Sequence, residues 1–390
     1  MFLILKGGHV LTPQDIGTKD VLVAGKVIAN IAPQIDPAPD YGETEVIDVS
    51  GKYVVPGFID QHVHLIGGGG EAGFASRTPE VMLSRVTRAG VTTVVGCLGT
   101  DGTTRHMAAL LAKARGLEAE GITAFIYTGA YEVPTRTLTD NVRNDIILID
   151  KVLGTGEIAI SDHRSAQPTK DELKRLAAEA RVGGILSGKA GVVHLHVGDG
   201  RRKLEQIFEI LNETEIPITQ FTPTHLNRNP DLLEEAIRFG LMGGMIDITS
   251  GVSPATGAKH AIKPSKAIKY CLERGVPIDN ITMSSDGNGS MPVFDEHGQL
   301  EGLLVADQAS LHHEFKALVL EEGVDIGRAL QILTLNVARS LKLYPQKGTL
   351  QIGSDADILV LDQELNIEYV FARGHAMIRK GEVVVKGTFE

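Results

Sequence analysis

Cysteine is scarce in this chain: Cys97 and Cys271 are the only two in 390 residues. They are too few and too far apart for a disulfide framework, which points to a protein of the reducing cytoplasm. Positive charge is thin as well. Lys and Arg number 38 against 49 Asp and Glu, a formal net charge of −11, and no basic tract or stripe offers the footprint of a nucleic-acid binder. Long apolar runs are missing: none reaches the ~18 residues of a membrane helix. The apolar stretch from Met1 to Leu5 is broken by Lys6 and a glycine pair, too early for a signal peptide. No G-x-G-x-x-G stands in a strand-to-helix turn. Gly67–Gly70 is a glycine run without the rest of that fingerprint, so a dinucleotide site is not expected.

What is present is a 43% hydrophobic chain, long enough to bury a large core. Residues 1–54 alternate apolar and polar positions between turn residues, as in Asp20 to Ile28, and predict short antiparallel strands. The same texture returns in residues 345–390, for example Ala356 to Leu361 and Tyr369 to Gly374. Neither end is long enough to bury a sheet alone, so both are expected to build one small β-domain, a β-sandwich. Between them, residues 55–344 alternate short β-branched runs with helical stretches. The expected strands are Phe58–His64, Thr92–Leu98, Ala124–Thr128, Glu157–Ser161, Val192–Val197, Ile218–Thr224, Met245–Thr249 and Ile281–Ser285. Arg105–Glu120, Lys170–Val182 and Arg201–Glu213 read as helices between them. Eight such repeats predict an α/β chain with a (β/α)8 TIM-like barrel.

A barrel places its chemistry at the C-terminal ends of its strands, and polar residues gather there. Strand one ends in His62-Val63-His64, whose histidines share a strand face as a pair of metal ligands. Tyr131 follows strand three. Strand five carries His194 and His196, strand six is followed by His225, and strand eight by Asp286. Capping or core burial explains any one of these, but not His, His, His and Asp recurring at four strand ends. Metal binding is expected.

This order of residues resembles the amidohydrolase superfamily. The strings Pro56–Gly73, Ser161–Ser165, Pro223–Asn229 and Ser284–Ser290 are similar to those of its isoaspartyl dipeptidase family. The resemblance implies two Zn²⁺ per subunit, although other divalent metals remain open. His62, His64 and Asp286 would hold the more buried ion, and His196 and His225 the more exposed one. His194 is the rival on strand five, but only His196 stands directly before the family-like Gly198-Asp199 turn. Where the family has a carboxylated lysine bridging the metals, this chain has Glu157, whose own carboxylate is expected to bridge instead. The alternative is a surface Glu157 and a single metal.

The activity implied is hydrolysis of the isopeptide bond in β-aspartyl dipeptides by a metal-bound hydroxide. Asp286 would carry the proton and Tyr131 would hydrogen-bond the oxyanion. Gly69 and Glu71 in the glycine-rich loop, with Thr100, Arg164, Arg228 and Ser290, would bind substrate. Asp60 and Asp162 are read as supporting or capping groups. The partners implied are a small dipeptide and further copies of the chain in a symmetric assembly, with no nucleic acid and no membrane. Rivals are a cyclic amidase of dihydroorotase or hydantoinase type, an N-acyl amino acid deacylase, and a non-catalytic scaffold.

Overall fold

Alternating apolar residues at both ends of the chain pair into one sheet. The computed structural model describes residues 2–37, 42–294 and 300–390. Strands β1 (Phe2–Leu11), β2 (Asp15–Ala24), β3 (Val27–Ala32), β4 (Thr44–Asp48) and β5 (Tyr53–Pro56) come first. From the far end of the chain come β16 (Ile358–Leu361), β17 (Ile367–Ala372), β18 (His375–Arg379) and β19 (Glu382–Val383). These nine are hydrogen-bonded in the order β19-β18-β17-β16-β5-β1-β2-β3, with β4 beside β1. The two ends meet where β5 pairs antiparallel with β16, Val54 opposite Val360. Inward residues two apart, Leu3 and Leu5, Val21 and Val23, Ile358 and Val360, share one buried cluster.

The middle of the chain forms a curled parallel sheet. Its strands are β6 (Phe58–Val63), β7 (Val91–Gly96), β8 (Thr123–Thr128), β9 (Val152–Ile160), β10 (Val192–Val197) and β11 (Phe221–Thr224), followed by β12 (Ile246–Thr249) and β13 (Ile281–Ser284). Helices α1 (Leu83–Arg88), α2 (Met107–Glu120), α3 (Val142–Leu148), α4 (Lys170–Ser187), α5 (Glu205–Glu213), α6 (Pro230–Leu241) and α7 (Pro264–Glu273) lie between successive strands. A hairpin of β14 (Ser290–Phe294) and β15 (Leu300–Val305) follows, then α8 (Ala309–Leu320), α9 (Ile326–Leu333) and α10 (Leu335–Ser340). This succession is consistent with the expected barrel.

Backbone pairing runs unbroken from β6 to β11, and β12 pairs with β13. The two seams between these groups are closed mainly by side chains. Asp247 on β12 accepts hydrogen bonds from Thr224 Oγ1 of β11 at 2.6 Å and Gln61 Nε2 of β6 at 2.7 Å. Thr282 Oγ1 at 2.7 Å and Ser284 Oγ, both on β13, complete its set of donors. A parallel bridge from Val63 to Gly287 adds a backbone link at the top.

Two strand boundaries differ from expectation by three residues or more. β9 starts at Val152, ahead of Glu157, although Gly154 and Gly156 weaken its strand signal. Gly154 is needed there because a Cβ would sit 2.4 Å from the Val192 carbonyl oxygen. Ile218–Gln220 forms a single 3-10 turn after Pro217, so β11 begins only at Phe221. Among the described residues no helix is long and apolar enough to cross a membrane.

Candidate metal centre

The strand ends bring six residues from five distant segments to one buried point. Glu157, pointing inward from β9, stands at its middle with its two oxygens divided between two groups of histidines. Its Oε2 lies 3.3 Å from His62 Nε2 and 3.8 Å from His64 Nε2. Its Oε1 lies 2.7 Å from His196 Nδ1 and 3.1 Å from His225 Nε2. Asp286 Oδ1 sits 3.0 Å from His64 Nε2 and 3.5 Å from His62 Nε2. His62 Nε2 and Glu157 Oε2 are both fully buried and have no hydrogen-bond partner among the described residues. Their 3.3 Å approach is the spacing at which a cation between them would be held by both. The ligand atoms of His62, His64, Cys97 and Glu157 lie within 4.8 Å of one another, as do those of Glu157, His196 and His225. The residues present therefore fit metal ions, with Glu157 common to both sets.

Surrounding groups fix the rings. His62 Nδ1 meets His194 Nε2 at 2.8 Å, so His194 backs His62 while His196 faces Glu157. His225 Nδ1 meets Thr249 Oγ1 at 2.8 Å, and His196 Nε2 meets Asp162 Oδ2 at 2.8 Å. Asp60 accepts from the Ser285 backbone N–H at 3.1 Å, tying β6 to the turn that carries Asp286. Burial pushes the Asp60 carboxyl up to about 6.

Charge at the centre follows from these contacts. Burial alone would raise Glu157 and Asp286, but the facing histidines hold both well below the usual carboxylate range. Burial pushes His225 down to about 3, leaving the neutral imidazole a metal requires. His225 (φ 64°) and Asp286 (φ 56°) both hold left-handed backbone, a conformation that costs a non-glycine residue roughly 1–3 kcal/mol and tends to mark functional sites.

Above the centre opens a cavity of about 990 Å³. His64, Glu157, His196 and Asp286 form part of its wall, while His62 and His225 are buried beneath. Every residue expected to bind substrate lines it: Gly69, Glu71, Thr100, Arg164, Arg228 and Ser290, together with Tyr131. Gly69 has φ 72°, and a Cβ there would lie 2.7 Å from that of Ser290. Only glycine lets the loop approach so closely. Glu71 Oε1 accepts from Thr100 Oγ1 at 3.0 Å and lies 3.4 Å from Arg164 Nη1. Arg164 is held from behind by Asp162, at 3.0 Å through Nε and 2.8 Å through Nη2, and lies over the Tyr131 ring. Arg228 Nε is buried without a partner among the described residues.

Several contributors escaped the sequence reading. Cys97 joins the His62 group, although it was considered only as a thiol without a disulfide. Its position just past β7, where other strands place ligands, was the available signal. The hairpin β14–β15 adds Met291 and Leu303 to the cavity wall.

Residues 53–387 match the model of the amidohydrolase family. The chain belongs to the amidohydrolase family. Among solved structures, this amidohydrolase is similar to the β-aspartyl dipeptidase of Fervidobacterium islandicum AW-1, solved in complex with β-Asp-Leu dipeptide. The two are 44% identical with a TM-score of 0.90, over 98% of each chain. An L-hydantoinase of Paenarthrobacter aurescens is 24% identical over 93% of this chain and 86% of that protein. A dihydropyrimidinase of Brevibacillus agri NCHU1002 shares the fold at 17% identity, with a TM-score of 0.70 over 99% of this chain and 97% of that one.

Proposed function

We propose that this amidohydrolase cleaves the isopeptide bond of β-aspartyl dipeptides, releasing aspartate and the second amino acid. The observation that carries the reading is the Glu71–Arg164 pair, 3.4 Å apart on the cavity wall. A β-linked aspartyl residue bears a free amine and a free carboxylate on the same carbon, so one close pair of opposite charges takes both. In the α-linked isomer the amine and the free carboxylate sit on different carbons, and this pair meets only one of them. Arg228, which lines the same cavity, is read as the partner of the leaving residue's carboxylate. Thr100 and Ser290 are neutral partners on the same wall, and Gly69 leaves room beside Ser290. The likeness to a dipeptidase solved with β-Asp-Leu supports the reading.

The centre is read as a two-zinc site: His62, His64 and Asp286 for one ion, His196 and His225 for the other, with Glu157 between them. When bound, such a pair supplies a water acidified towards neutrality and polarises the amide carbonyl. Asp286, facing the cavity, takes the proton of the attacking water and delivers it to the departing amine. Burial holds the Tyr131 phenol well above its ordinary pKa, so it stays an O–H donor for the carbonyl oxygen as negative charge develops. Asp162 and His194 position their histidines. The curled sheet is read as a (β/α)8 barrel and the nine-stranded sheet as the small β-sandwich. Two unpaired buried cysteines suit a cytoplasmic enzyme.

The test is aspartate release from β-Asp-Leu and α-Asp-Leu by zinc-loaded protein, side by side. Cleavage of the β isomer alone is expected. Cleavage of neither, in protein shown to hold metal, would overturn the reading and move the search to cyclic amides and N-acyl amino acids.

A further inference from the structure

Cys97 lies one residue past β7, fully buried, with its sulfur turned towards the centre. Its contacts are weak: Sγ is 3.8 Å from the Val63 carbonyl oxygen and 3.9 Å from His64 Nδ1. Beside it, the unpartnered His62 Nε2 and Glu157 Oε2 face the same point. A tetrahedral site with Zn–N near 2.0 Å and Zn–S near 2.3 Å sets its ligand atoms roughly 3.3–3.7 Å apart. The His62–Glu157 separation of 3.3 Å falls at that spacing and the His64–Glu157 separation of 3.8 Å lies just beyond it. Cys271, by contrast, sits on α7 within the apolar core.

We propose that Cys97 is a ligand of the buried metal, its thiolate joining His62, His64 and Glu157. The inference rests on the metal-centre reading and deepens it. A thiolate on the closed side of the ion keeps four protein ligands on it whenever Asp286 turns from the ion towards substrate. Asp286, whose side chain is 20% exposed towards the cavity, is then free to move a proton. Two divalent ions bring four positive charges. Glu157, Asp286, Cys97 and a deprotonated water balance them within a buried site. A soft sulfur ligand also favours zinc or cobalt over magnesium or calcium at this position.

The test is cobalt(II) titration of metal-free wild-type protein, followed by absorbance and by elemental analysis. A thiolate-to-cobalt charge-transfer band in the near ultraviolet is expected, retained in Cys271→Ser and lost in Cys97→Ser. The chain has only these two cysteines, so wild type and Cys271→Ser assign the band even if Cys97→Ser fails to fold. Bound cobalt without the band, or a band that survives in Cys97→Ser, overturns thiolate ligation and leaves the metal centre standing. No bound cobalt overturns both.

Discussion

Asp247 offers a demanding check on how the curled sheet is closed. Its carboxylate is buried and receives hydrogen bonds from Gln61, Thr224, Thr282 and Ser284, donors on three other strands. Hydrogen bonds to a charged acceptor contribute about 1.5–3 kcal/mol each, so the gross sum is roughly 6–12 kcal/mol. Desolvating the carboxylate costs several kcal/mol of that. Some donors have fallbacks: Thr282 can turn to the Ile246 carbonyl at 3.3 Å, and Thr224 to Thr249 Oγ1 at 3.3 Å. Asp247→Ala should therefore lose about 3–5 kcal/mol net. With an unfolding entropy near 2.1 cal/mol/K per residue, 390 residues give about 0.8 kcal/mol/K, and the melting temperature should fall by roughly 5 °C. Asp247→Asn should cost only about 1–2 kcal/mol. Its amide oxygen can still serve Gln61, while the threonine and serine hydroxyls rotate to accept from its NH2. Calorimetry on metal-free protein avoids masking by ion binding, and amide exchange should quicken at β11, β12 and β6. An alanine variant melting within a degree of wild type, or an asparagine variant as damaged as alanine, would refute the seam argument.

Other substitutions test the centre and its surroundings. Glu157→Ala should lose bound metal and activity together, and added bicarbonate should leave the wild type unchanged; an unaltered metal content in the variant would remove Glu157 from the bridge. Asp286→Asn should lower turnover about 10²–10⁴-fold, measured at saturating β-Asp-Leu, whereas near-normal turnover would exclude Asp286 as proton carrier. His312, whose Nε2 donates to the Leu365 carbonyl oxygen at 2.7 Å among Lys316, His313 and Asp362, has its pKa pushed down to about 4, mainly by burial. The unfolded chain takes up a proton near pH 6.5 that the native state refuses, so this stabilisation is full above that pH and fades as pH falls towards 4. By linkage the loss amounts to about 2 kcal/mol at pH 5, and urea unfolding at pH 7 and pH 5 should show a smaller loss in His312→Gln than in wild type.

Much of the fold and the centre was legible because the signals are local. His62 and His64 sit two apart on one strand, and β-branched runs recur between helical stretches, so periodicity alone placed most of the strands. The position of His225 and Asp286 just past strand ends was equally readable, since barrel chemistry is confined to that edge. Asp247 was not. An aspartate inside an apolar strand carries no mark of its partners when they come from three other strands, the farthest 186 residues away at Gln61. His196 is preferred over His194 on the local Gly198-Asp199 turn, but the contact that sets His194 behind His62 joins distant segments and leaves no mark in the sequence. Cys97 stayed hidden because a lone cysteine in an apolar run reads as packing.

The pairing of β5 with β16 has a temporal side. Val54 leaves the ribosome some 300 residues before Val360, the residue it lies against, and long-range pairing of this kind forms late. Until then one flank of β5 is an unpaired strand edge, the kind of surface that invites pairing between chains. The residues proposed as metal ligands, all between His62 and Asp286, are synthesised within that interval. Every residue of the centre is therefore synthesised before the sheet that joins the two ends of the chain can close, and until it closes the free edge of β5 is open to pairing with other chains.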